Sequence, residues 1–459
     1  MVNAQFKDKR EFFDQGNTRS LNFRKQQLLT LRKALDDHSD DISKALKDDL
    51  GKSAMESYMT ETSVLYSEID HALKHLKSWM SPERQRVPLS LEPSSCSIHY
   101  EPKGVVLIIA PWNYPVMLSI SPLIGAIAAG NSVVLKPSEE APASAKIIER
   151  IVKDCFAPEY VSVVQGLGHE VVPKLMDDHT FNHIFFTGST AVGKIIAKQA
   201  AEKLTSTTLE LGGKSPAVID SSADLKVSAR RIVWGKLMNA GQTCVSPDYL
   251  LVEEKIKEEL VQELIKAIES SFGADQMSSE DYPHLINQKH FNRVSSYLNE
   301  GRIIYGGKTD PESLFIQPTL IDQVDLDSPV MQEEIFGPVL PILTFNNNDE
   351  IKEIIHRNRY PLACYYFGKN KKREEWVMNQ TEFGGGCVNN TIVHLGNPDL
   401  PFGGVQYSGS GQYHGWHGFE CFSHKKSIVK TSTWIDPPMK YAPFTESKFK
   451  FLRTILKIS

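Results

Sequence analysis

The sequence predicts an α/β protein built on parallel sheets, and three observations predict it. Between residues 104 and 204, short apolar runs alternate with helix-length amphipathic segments. Those runs are continuously apolar, as strands buried on both faces are. The same alternation resumes after residue 210, which implies a second sheet of the same kind.

In chain order, residues 20–80 come first. "RKQQLLTLRKALDDHSDDISKALKDDLGK" and "SYMTETSVLYSEIDHALKHLKSWM" repeat apolar residues every three or four positions among charges, which predicts helices. "SPERQRVPLSLEPSS" breaks the pattern with prolines and serines, and "CSIHYEPKG" alternates like an edge strand. From Gly104, "GVVLIIAP", "NSVVLKPS", "YVSVVQG" and "FNHIFFTGS" read as strands. The helices between and after them are "SPLIGAIAAG", "SAKIIERIVKDCF", "EVVPKLMDD" and "AVGKIIAKQAAEKL". A doubly wound sheet of this kind binds nucleotides at the carboxyl ends of its strands. Past residue 210, "ADLKVSARRIVWGKLM" and "KIKEELVQELIKAIESSFG" are amphipathic helices, and "DYLLV", "FIQPTLI", "PVLPILTF" and "LACYYFG" are strands.

Composition narrows the function classes. A net charge of -5 leaves no basic excess, which argues against a nucleic-acid partner. The 6 cysteines include no CxxC pair, so neither a zinc ribbon nor a disulfide framework is expected. The start, "MVNAQFKDKREFFDQG", is polar, which points to a cytoplasmic chain without a secretory leader. The uncharged run from Gly104 to Leu135 is punctuated by Pro111, Pro115 and Pro122, so strand, loop, helix and strand are expected there, not a membrane span. The tail, "FTESKFKFLRTILKIS", puts Phe449, Leu452 and Leu456 on one helical face, with Phe451, Ile455 and Ile458 beside it. Lys448, Lys450, Arg453 and Lys457 add positive charge. This pattern suits a peripheral helix on anionic lipid. The preferred reading is a helix packed on its own domain or on a partner subunit.

Several short stretches are candidates for chemistry. "FTGSTAVGK" resembles a phosphate loop through Gly188, Gly193 and Lys194, but Ile195 stands where a hydroxyl would hold magnesium. A strand-to-helix turn is the better reading, with Gly188 letting backbone N–H groups approach a pyrophosphate. "VVLKPSEE" sets Lys136 and Glu139 just past a strand, either to hold ribose hydroxyls or as ordinary loop charges. "QGLGHE" lacks the third glycine of the common dinucleotide fingerprint. "HGWHG" offers His414 and His417 with no third ligand in view, so no metal site is expected. "NAGQTC" presents Cys244, which by itself is either a nucleophile or a buried apolar filler.

"APWNYP", "LELGGKSP", "GQTC" and "EEIFGP", with "FTGS" and "PFGGV", occur in the order found in the aldehyde dehydrogenase superfamily. The chain resembles that superfamily from about residue 20 to about residue 430. "GQTCVSPDY", "QYHGWHGFECFSHKKS" and "LKPSE" resemble its class 3, fatty and aromatic aldehyde branch. Gln406 departs from the small residue that relatives commonly carry there.

The resemblance implies a Rossmann-like parallel-sheet cofactor domain, a second α/β catalytic domain and a small oligomerisation β-hairpin or arm. The implied boundaries are 1–81 and 103–209 for NAD(P) binding and 210–393 for catalysis. Residues 82–102 and 394–431 form the oligomerisation segment, and 432–459 the amphipathic tail. Cys244 becomes the nucleophile, because oxidising an aldehyde by hydride transfer first needs a tetrahedral adduct. Asn113 and the Cys244 backbone N–H become the oxyanion donors. Glu210 becomes the general base that activates water against the thioester. Lys136, Glu139, Gly188, Ser189, Gly212, Glu334 and Phe336 are expected to hold the cofactor, with Glu333 as the alternative carboxylate. The expected cofactor is NAD, with NADP also tolerated. Tyr114 and Trp234 are expected to line an apolar substrate channel. The expected substrate is a lipophilic aldehyde, either medium- to long-chain aliphatic, isoprenoid or aromatic. The expected assembly is a homodimer, with peripheral membrane contact through the tail as a further expectation. CoA-acylating or esterase chemistry on the same scaffold, or an inactive binding homologue, are the competing functions.

Overall fold

The computed structural model describes residues 2–455. Its first sheet has six strands, ordered Gly409–Ser410, Ser206–Glu210, His183–Thr187, Val105–Ile109, Ser132–Lys136 and Val161–Val163. All neighbours are parallel except the Gly409–Ser410 edge. Every residue of Val105–Ile109, Ser132–Lys136 and His183–Thr187 is buried, which accounts for their unbroken apolar reading. The helices Pro115–Ala129, Pro142–Cys155, Gly168–Asp178 and Thr190–Glu202 follow or join these strands.

The strand order decides where a ligand can sit. From Val105–Ile109 the sheet first grows through Ser132–Lys136 to Val161–Val163, then returns to the other side with His183–Thr187. The direction of winding therefore reverses between Val105–Ile109 and His183–Thr187. A crevice opens at such a reversal, beyond the carboxyl ends of the strands. The loop carrying Trp112 and Asn113 leaves one side of it, and Gly188 and Ser189 leave the other.

The second sheet has seven strands, ordered Arg302–Tyr305, Thr319–Asp322, Val339–Phe345, Tyr249–Glu253, Pro216–Ile219, Ala363–Phe367 and Gly385–Val388. Only the Arg302–Tyr305 edge is antiparallel.

A three-stranded sheet of Glu83–Gln85, Ser94–Pro102 and Ser423–Thr431 stands apart from both. Here the structure differs from expectation. Ser94–Pro102 is the central strand of the three, and nine of its residues pair with Ser423–Thr431 of the same chain. The two parts of the expected oligomerisation segment, 82–102 and 394–431, thus pair with each other within the chain. A matched nine-residue antiparallel register satisfies one backbone edge of each strand internally. The outer edges of Ser423–Thr431 and of Gly385–Val388 remain open.

No helix among the described residues is long and apolar enough to cross a membrane. The tail forms the helix Glu446–Ile455, and Phe449 and Phe451 on it are exposed, as is Trp434 before it at 96%. Phe449 and Phe451 are thus not covered by the chain's own described residues, while Leu452 beside them is half-buried. Leu456, Lys457 and Ile458 lie outside the described residues.

Candidate active site

The segment ahead of Cys244 has an unusual backbone. Asn239 and Ala240 have φ of 52° and 50°, and Gly241 follows at 79°. Successive left-handed residues, two of them not glycine, are costly and persist only where the surroundings over-determine them. The surroundings do so here. The Asn239 side-chain amide donates to the Asn113 carbonyl at 2.7 Å and the Gln242 carbonyl at 3.1 Å, and its backbone N–H donates to Glu56 at 2.6 Å. Gln242 is fully buried, donates to the Asn239 and His284 carbonyls and accepts from the Ile286 N–H. A Cβ on Gly241 would lie 2.2 Å from the Gly337 carbonyl, so the turn has no room for another residue.

Asn113 is held from the same side. Its amide donates to the Gln242 carbonyl at 3.0 Å, which leaves a second amide hydrogen for a ligand. Its carbonyl accepts from Lys52 at 3.2 Å. Lys52 is fully buried, pairs with the equally buried Glu61 at 2.7 Å and lies over the Tyr114 ring. The other Glu61 oxygen accepts from Val116 and Met117, the orphan N–H groups in the first turn of Pro115–Ala129. One buried ion pair therefore fixes both the start of that helix and the Asn113 loop.

Cys244 is half-buried and lies on the wall shared by two cavities. The larger, about 550 Å³, fills the crevice at the winding reversal. It brings together Asn113, Gly188, Ser189, Glu210, Gly212, Glu334 and Phe336, all expected from the sequence. Glu210 ends the Ser206–Glu210 strand, is 2% exposed, and has no hydrogen-bond partner for either carboxylate oxygen. Burial raises its pKa well above the usual carboxylate range. Burial also raises the Cys244 pKa, with Glu334 and Glu210 adding to the effect, which favours the thiol over the thiolate.

Glu334 is half-buried, yet its Oε1 is enclosed and unpaired, and burial followed by Asp248 raises its pKa to about 8. Glu333, the alternative, is exposed and accepts the Tyr297 hydroxyl at 2.6 Å. Phe336 meets Trp112 edge-on at 5.3 Å.

Lys136 and Glu139 pair with each other at the end of Ser132–Lys136, outside the lining of this cavity. Glu139 also accepts the Gly168 N–H at 2.6 Å, at the start of a helix. Ser189 caps Thr190–Glu202 through the Val192 N–H.

The residues fit a nicotinamide dinucleotide. A carboxylate oxygen left unpaired on a cavity wall calls for donors, and ribose hydroxyls supply them. A Cβ on Gly212 would stand 2.0 Å from Glu334 Oε2, so glycine is what keeps this wall open. The Thr187 hydroxyl, at the end of its strand, is likewise buried and unpaired.

The second cavity, about 260 Å³, lies on the other side of Cys244 and is mainly apolar. Tyr114 and Trp234 both line it, with Met117, Ile392, Leu395 and Phe402 among the rest. The Tyr114 hydroxyl is 2.6 Å from that of Thr243. His414 lines it too, stacked on Phe402 at 5.4 Å, with Nε2 3.7 Å from Glu68. Among the described residues, no group of three or more His, Cys, Asp or Glu is arranged to hold a metal.

Comparison with known proteins shows the family. The model of the aldehyde dehydrogenase family matches residues 1–428. The chain belongs to the aldehyde dehydrogenase family. It is 44% identical over 459 residues to 4,4'-diaponeurosporen-aldehyde dehydrogenase of Staphylococcus aureus, covering 100% of this chain and 99% of the relative. It is 44% identical over 431 residues to the dimeric NADP-preferring aldehyde dehydrogenase of Rattus norvegicus, covering 94% and 95%. Among solved structures, the substrate-bound state of Staphylococcus aureus AldH superposes with a TM-score of 0.97 at 43% identity, covering 99% of each chain. Indole-3-acetaldehyde dehydrogenase complexed with NAD+ superposes with a TM-score of 0.85 at 28% identity, covering 93% and 88%. This aldehyde dehydrogenase is an α/β oxidoreductase that uses a nicotinamide cofactor.

Sequence reasoning missed the residues that hold this aldehyde dehydrogenase's site in shape. Glu56 and Glu61 sit in a helical stretch where charges normally mark a solvated face, and Lys52 in the short link just before it. No periodic signal marks them, because the π-helical turn Tyr58–Thr62 that carries Glu61 is not revealed by sequence periodicity. Asn239 and Gln242 stand inside the quoted "NAGQTC" itself, and their buried amides are what its polar letters supply.

Proposed function

We propose that this enzyme oxidises lipophilic aldehydes to carboxylic acids, with NAD or NADP, through a thiohemiacetal and a thioester on Cys244. The observation that carries the reading is the place of Cys244 on the wall between an acceptor-lined cavity and an apolar one. An aldehyde entering from the apolar side meets the sulfur with its carbonyl toward Asn113. The sulfur–carbon bond forms as the thiol gives up its proton, and Glu210 is the unpaired carboxylate available to take it. Charge on the carbonyl oxygen is met by the free Asn113 amide hydrogen and the Cys244 backbone N–H. When bound, the nicotinamide supplies the hydride acceptor. Glu210 gives that first proton up to solvent, then takes one from the water that attacks the thioester, and Cys244 leaves as thiolate and is reprotonated to its resting thiol. A water-activating base at this position favours hydrolysis over acyl transfer to CoA.

Glu334, Phe336 and Gly212 would hold the nicotinamide half of the cofactor, and Gly188 and Ser189 the pyrophosphate, at the start of a helix. Lys136 and Glu139 would hold the adenosine ribose at the neighbouring strand end. The proposed division is 1–81 with 103–209 for the cofactor, 210–393 for catalysis, and 82–102 with 394–431 for assembly. The open outer edges of Ser423–Thr431 and Gly385–Val388 support a homodimer formed by strand addition. The exposed Trp434, Phe444, Phe449 and Phe451, with Lys448, Lys450 and Arg453 nearby, support tail 432–459 as a peripheral contact with anionic lipid.

Cys244→Ala tests the reading. Absorbance of the reduced cofactor, followed with purified protein and an alkanal series, should show a loss of about a thousandfold or more. Retention of wild-type turnover would refute the proposal.

A further inference from the structure

A third cavity, of about 660 Å³, opens beyond the apolar one. The two share Met59, Trp234, Met238 and Val393, so they adjoin, and a path leading away from Cys244 would run through both. Its character changes along that path. Next to Cys244 the walls are methyl, thioether and aromatic groups, whereas the outer chamber carries Arg230 and Arg231.

The two arginines differ. Arg231 is half-buried and donates to the Asn389 carbonyl at 2.5 Å, which ties it to the fold. Arg230 is exposed and makes no ion pair or hydrogen bond with another described residue. The acids on the same walls are Glu56 and Asp281. Glu56 is committed to the Asn239 N–H at 2.6 Å, and burial raises its pKa toward the neutral form. Asp281 is exposed and lies beyond ion-pair distance of either arginine. The chamber therefore offers more cationic than anionic charge, with a planar guanidinium donor left over for a ligand.

Resting on the proposed function, we infer that the outer chamber recognises a carboxylate at the far end of the substrate, with Arg230 as its partner. The substrate class is then the ω-oxo carboxylic acids. The aldehyde reaches Cys244, the methylene chain fills the apolar cavity, and the distal carboxylate meets the guanidinium. Arg230 is a specificity-determining residue in this account and takes no part in the chemistry.

The test compares ω-oxolaurate, its methyl ester and lauraldehyde as substrates of the full chain. For the wild type, KM for the acid should lie about fivefold below that for the ester, the scale of a partly exposed charge-assisted contact. Arg230→Gln should raise KM for the acid about fivefold, with kcat unchanged and the ester and alkanal unaffected, while Arg230→Lys should restore part of the preference. Raising ionic strength should erode the preference in the wild type. Equal KM for acid and ester in the wild type, or a shift of both together in Arg230→Gln, would overturn the inference. Turnover of the ester and the alkanal reports separately on the aldehyde dehydrogenase reading.

Discussion

The two cavities that meet at Cys244 are built in opposite ways. The larger is walled by residues at the ends of parallel strands and in the loops that follow them, and two of its carboxylates, Glu210 and Glu334, carry unpaired oxygens. The smaller is walled by apolar side chains from segments as far apart as Met59, Met117, Trp234, Ile392 and Phe402. A polar group works only when aimed, so each one on the cofactor side is held by its backbone position or by a buried hydrogen bond. An apolar wall needs shape and volume but no particular atom, so many residue sets would serve. In the proposed function, the difference places reaction type on one face of the cysteine and substrate range on the other.

Three substitutions sharpen this division. Asn113→Ala should have the largest effect. It should lower kcat about a hundred- to a thousandfold for every aldehyde, whatever its length, because the donor acts on charge formed only during reaction. Gly212→Ala should come next, since its Cβ would stand 2.0 Å from Glu334 Oε2. Cofactor KM should rise about tenfold or more, with the ranking of aldehydes unchanged. Trp234→Ala should have the smallest effect and the opposite signature. KM for long-chain aldehydes should rise about fivefold, while acetaldehyde kinetics stay as they were. A Trp234→Ala variant that weakened cofactor binding, or a Gly212→Ala variant that reordered the aldehydes, would break the division.

The sequence made the cofactor side legible and left the apolar side mostly hidden, for physical reasons. Strands buried on both faces must be continuously apolar, so "GVVLIIAP" and "FNHIFFTGS" announced themselves. Residues just past such strands, Gly188 and Ser189 among them, could then be located, whereas Glu210, at the end of the less apolar Ser206–Glu210, came from the resemblance. Pro216–Ile219 was not expected as a strand, because four residues opening on a proline carry little periodic signal. Tyr114 and Trp234 were placed beside motif segments, but Ile392, Leu395, Phe402 and His414 reach the cavity only through the tertiary fold. The left-handed pair Asn239–Ala240 was nearly as silent, since alanine disfavours that conformation and asparagine, though it tolerates it, is common elsewhere. Ser94–Pro102 read as an edge strand, because its two covering strands are a three-residue segment and one more than 300 residues away.

The most direct test of the central claim, that Cys244 carries the acyl group and Glu210 releases it, is mass spectrometry of Glu210→Gln after mixing with NAD and lauraldehyde. The account predicts one equivalent of reduced cofactor, little further turnover, and an acyl group on the peptide containing Cys244. An unmodified Cys244 after that burst, an acyl group on another cysteine, or undiminished steady turnover by Glu210→Gln would contradict it.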